Sequence, residues 1–118
     1  MRADIAGRIE REAERIESTA IEFAQVRAAH LVTSGMANVR GTDRETLDRL
    51  LLDAPAPGAL GLPPDASAQD IMNAAGVAAS EWRGRANDTL TGVTETEVFE
   101  AAARIAEAMY AAAHSQSG

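Results

Sequence analysis

The chain has no cysteine and no lysine, and its only aromatic residues are Phe23, Trp82, Phe99 and Tyr110. The lack of cysteine excludes a disulfide framework, a thiolate metal site and a thiol nucleophile, and leaves the redox compartment open. The lack of lysine excludes Schiff-base chemistry, since all 11 cations are arginine. With so few aromatics, apolar content must come from aliphatic residues and from 26 alanines in 118 residues. Alanine is the best helix former but buries little area per residue. The expectation is therefore a thin helical core that a partner helps to complete. No apolar run approaches the ~20 residues of a membrane span. The opening stretch MRADIAGRIEREAERIE is charged throughout and lacks the apolar centre of a signal peptide. A cytoplasmic location is expected, with secretion without a cleaved signal as the other route. The net charge of -7 argues against sequence-independent nucleic-acid binding, which needs a cationic face to neutralise phosphates.

What is present is helical periodicity with clear punctuation. Residues 3–38 read as one long amphipathic helix. Ile9, Ile16, Phe23 and His30 recur every seven residues, and Ile5, Ala13, Ala20 and Val26 widen the stripe. At ~1.5 Å per residue such a helix is about 50 Å long, too long for the rest of the chain to cover. Thr42-Asp43-Arg44-Glu45 has the spacing of a capping box, and a short helix should follow to about Leu52. The long helix is read as an N-terminal unit (1–41), followed by a small helical domain (42–118) that contains a Pro-rich linker at residues 53–65, with all four prolines. Ser67 and Asp70 form a further capping box. The helix after it carries Ile71, Ala74, Ala75, Ala78 and Trp82 on one stripe and is expected to break at Gly84 and Asn87-Asp88. Thr94 and Glu97 suggest another cap. The last helix should run to about His114, with Val98, Ala102, Ile105, Met109 and Ala112 in register and a fraying tail. No internal repeat and no strand pattern appears.

Two families are similar to parts of this pattern. The run Leu60-Gly61-Leu62-Pro63-Pro64-Asp65-Ala66-Ser67, followed by Ile71, Ala74, Ala78-Ala79 and Trp82, resembles the start of a J domain. That resemblance implies an antiparallel helical hairpin. It does not imply co-chaperone activity, because Arg83-Gly84-Arg85 fills the slot of the family's His-Pro-Asp loop. The docking helix also lacks its basic face, with Met72, Asn73, Gly76 and Val77 there. Trp82-Arg83-Gly84 resembles the Trp-X-Gly turn of WXG-type secreted helical proteins, which implies two helices flanking that turn. Tyr110 is followed four residues later by His114, where that family's export signal has an acid. The lysine-free, alanine-rich composition resembles that of high-GC, actinobacterial proteins.

Candidate chemistry is sparse. His30 extends the heptad stripe and reads as a partly buried packing residue, and His114 as solvated. Glu10, Glu14 and Glu17 read as a solvated face, without the Glu-X-X-His pairs of helical di-metal sites. Arg83 and Arg85 flank Gly84 and suit a phosphate or an acidic partner or, more simply, the C-terminal end of the preceding helix. No phosphate loop and no Ser/His/Asp constellation is present. These observations point to an all-α protein of about four helices, one long and N-terminal, with a C-terminal helical hairpin. The expected function is non-enzymatic, that of an interaction or adaptor module without cofactor or metal. The expected partner is another protein or a second copy, as a homodimer through the first helix, and neither nucleic acid nor membrane. Candidate interaction residues are Ile9, Ile16, Phe23, His30, Trp82, Arg83 and Arg85. The alternatives are a type VII-like secreted helical protein and an accessory subunit of an enzyme or phage assembly.

Overall fold

The computed structural model describes residues 20–52 and 57–117. The described residues are all-helical, with four α-helices and no strand. Helix α1 covers residues 20–33, α2 runs Thr42–Leu52, a 3-10 turn spans Gly58–Leu60, α3 runs Ala68–Ala86 and α4 runs Val93–Ser117. The long α3 and α4 form the expected antiparallel hairpin.

The core reflects the composition. Ala75, Ala102, Ala103 and Ala106 are fully buried, and the larger fillers are Leu47, Val32, Val98 and Trp82. Small side chains let α3 and α4 approach closely. The space left at one end of the hairpin is taken by the stacked rings of Trp82 and Phe99, 5.5 Å apart at an interplanar angle of 25°, a favourable offset arrangement. Ala28, Leu31 and Val32 of α1 belong to this same core, as do Ala37 and Val39 beyond its end. Gln25 Nε2 donates to the Leu51 carbonyl at 2.9 Å, and Arg27 pairs with Glu97. From residue 20 onward the first helix is thus tied to both α2 and α4.

Several boundaries differ from the sequence expectation. The first helix stops at residue 33, not 38, because Gly35 takes a left-handed φ of 80° and the Ala37 amide reaches back to the Leu31 carbonyl at 2.9 Å. Its expected start, residues 3–19, lies outside the described residues. Residues 53–56 of the expected linker also lie outside them. From Pro57 on, that stretch is a packed turn. The Leu60 and Leu62 amides both donate to the Pro57 carbonyl, at 3.0 and 3.2 Å, and the Ala66 amide donates to that of Pro63. Ala59 is 3% exposed, and Gly61 supplies the positive φ of 75° that closes the turn.

The capping box of Ser67 and Asp70 forms as expected: the Asp70 amide donates to Ser67 Oγ at 3.1 Å, and the Ser67 amide to the Asp70 carboxylate. The two threonine boxes do not form. Thr42 and Thr94 already lie inside α2 and α4, so Gly41 and Gly92 precede the first helical residue in each case. Glycine is an acceptable N-cap, and the first turns close on its carbonyl, by the Glu45 amide at 3.2 Å and the Thr96 amide at 2.8 Å.

Of the expected breaks, Gly84 does not end α3, whereas Asn87 does, as its C-cap. The helix runs on to Ala86, because its last carbonyls find partners beyond that point. The Asn87 amide reaches the carbonyls of Arg83 and Arg85, and Thr91 Oγ1 donates to that of Arg85 at 2.8 Å. Helix α4 is likewise longer than expected, since it includes the Ser115-Gln116-Ser117 tail.

Candidate functional site

The face of α1 that meets the core is its alanine-rich one. Ala28, Leu31 and Val32 are buried, and Ala24 and Ile21 are half-buried against them. At about 100° per residue, Phe23, Val26 and His30 project from the opposite side. Phe23 is 72% exposed, Val26 is 70% exposed and His30 is exposed. The expectation that His30 is half-buried is therefore corrected. The physical reason is that flat alanine surface permits closer helix approach than a phenylalanine ring does, so packing selects the small-residue face. Ile9 and Ile16, which share the heptad stripe, lie outside the described residues. The outward face is locally neutral within residues 20–33, with one acid, Glu22, and one base, Arg27.

The other candidate residues are engaged within the fold. Trp82 is 2% exposed. Arg85 lies over its ring, 4.7 Å from the centroid, and donates to Asp43 at 2.5 Å, which braces α3 against α2. Arg83 donates to Glu107 at 2.6 Å and braces α3 against α4. These arginines lie in the last turn of α3, where the sequence suggested an acidic partner or a role at the helix's C-terminal end. The acids they meet are the protein's own.

Sequence reasoning missed a groove of about 520 Å³ between α2, the packed turn and α3. One wall is a continuous face of α3, with Asn73, Ala74, Val77, Ala78 and Glu81 at helical spacing. The other wall holds Leu50, Leu60 and Leu62, and Trp82 forms part of the lining. Val77 is 60% exposed. Arg49 and Glu81 line the groove, and neither has a partner among the described residues. The missed signal was the pair of leucines inside the supposed linker, which a solvated connector would not need. Leu90 and Val93, 93% and 91% exposed at the tip between α3 and α4, are a further apolar feature that periodicity did not mark.

Among the described residues, no group of three or more His, Asp or Glu is placed to hold a metal ion. No helix there is long and apolar enough to cross a membrane. Among the described residues, the Arg27–Glu97 pair shifts the titration of both its members. The hydrogen bond from Arg27 holds the Glu97 carboxyl below its ordinary range, and Glu97 in turn raises Arg27. No protein-family model, curated protein or solved structure matches this chain.

Proposed function

We propose that this protein is a non-enzymatic helical interaction module that binds another helical surface through the outward face of α1, most simply that of a second copy. The observation that supports this reading is the exposure of Phe23 and Val26 on the side of α1 opposite its buried face. Adjacent large apolar side chains at i, i+3 on a helix already packed on its other side form a patch that tends to find a partner. A protein partner, in preference to nucleic acid, accords with the net charge of -7 and the locally neutral face. Phe23→Glu is the direct test. Sedimentation or light scattering should show the mass fall from dimer to monomer, with the melting temperature close to that of wild type when both are diluted to monomer, because the site is exposed. A wild-type protein that is already a folded monomer at high micromolar concentration rules out self-association.

A further inference from the structure

We infer that the surface receiving the outward face of α1 is the groove between α2, the packed turn and α3 of a second copy. The inference rests on the proposed self-association and names its second half. Among the described residues, the outward face of α1 and this groove are complementary in shape. Phe23 and Val26 project from a convex helix. The groove is concave, apolar along Leu50, Leu62, Ala74 and Val77, and about 520 Å³ in volume, within the range of pockets that enclose sizeable ligands. Ala74 and Ala78 on its α3 wall leave room for a helix backbone to approach.

Charge points the same way. Glu22 and His30 flank the apolar pair on α1, and neither has a side-chain partner among the described residues. Arg49 and Glu81 in the groove are likewise unpaired. Glu22 facing Arg49, and His30 facing Glu81, would satisfy all four groups. Of the other charges on these two surfaces, Arg27 pairs with Glu97 and Asp70 accepts from the Ser67 amide. A zipper of two α1 helices offers less. It sets two convex faces together, with Glu12 and Thr19 where a strict coiled coil requires apolar residues. A reciprocal exchange, α1 of each copy in the groove of the other, closes as a two-fold dimer.

The absence of cysteine makes this testable by cross-linking. Val26→Cys and Val77→Cys, both at exposed positions, are purified separately, mixed and oxidised mildly. The expected product is a mixed disulfide joining the two variants, with little linkage of Val26→Cys to itself. Val77→Glu, which places a carboxylate in the groove, should weaken association roughly tenfold or more while melting like wild type when both are diluted to monomer. If Val26→Cys links chiefly to itself and Val77→Glu associates like wild type, the groove assignment is overturned and self-association through α1 stands. If wild type is monomeric and no pair cross-links, both readings fall. Association that Val77→Glu abolishes and Phe23→Glu leaves intact also overturns the inference, because the groove then receives a different segment.

Discussion

Trp82 has the largest side chain in a core otherwise built mainly of alanine and a few aliphatics, so its removal leaves a void that small neighbours cannot refill. It also stacks on Phe99 and lies beneath the Arg85 guanidinium. Trp82→Ala should cost about 3–5 kcal/mol, a large share of a small domain's stability, readable as a loss of denaturation midpoint. A midpoint close to wild type would contradict its place in the core. At Glu97 the expected effect is small and depends on pH. Its folded carboxyl is held below the ordinary range by Arg27. The stabilisation is therefore present above the unfolded value, roughly 4.3, and is lost as pH falls through the lowered folded value. Wild type should melt slightly above Glu97→Gln near neutral pH, and the two curves should converge in acid. A gap that persists or widens in acid would refute the assignment.

At the scale of the element, the helix starts separate by what satisfies their first amides. At α3 a side chain does this, and at α2 and α4 a glycine carbonyl begins the first turn. Ser67→Ala should therefore cost about 1 kcal/mol. Thr42→Ala and Thr94→Ala should lie within about 0.5 kcal/mol of wild type, because neither hydroxyl caps its helix. Chemical denaturation of the three variants checks the contrast, and equal losses at all three would contradict it. The same logic explains α3 running through Gly84. A glycine within a helix costs about 1 kcal/mol, and a helix continues through it when caps further on, here Asn87 and Thr91, satisfy the final carbonyls.

For the whole molecule, self-association couples to stability by mass action. If the folded chain pairs and the unfolded chain does not, the melting temperature rises with protein concentration. Wild type should show that rise over a hundredfold range of concentration, and Phe23→Glu should not. A concentration-independent melt for wild type would speak against pairing. The whole molecule also shows why Phe23 and His30 of the heptad stripe face outward. One helix has two candidate faces, and the shared core with α2 and α4 takes the one with Ala28, Leu31 and Val32.

The all-helical class, the α3–α4 hairpin, the Ser67 cap and the apolar stripe of α3 were determined by the sequence alone, because periodicity and capping are local properties of consecutive residues. The tertiary structure alone decided which side of α1 is buried, since that depends on how closely another helix can approach each face. It also decided that Arg83 and Arg85 meet Glu107 and Asp43, 24 and 42 residues away in the chain. The groove is likewise tertiary. Leu60 and Leu62 read as linker residues until the turn from Pro57 folds against α2 and α3, because a concavity belongs to no single segment.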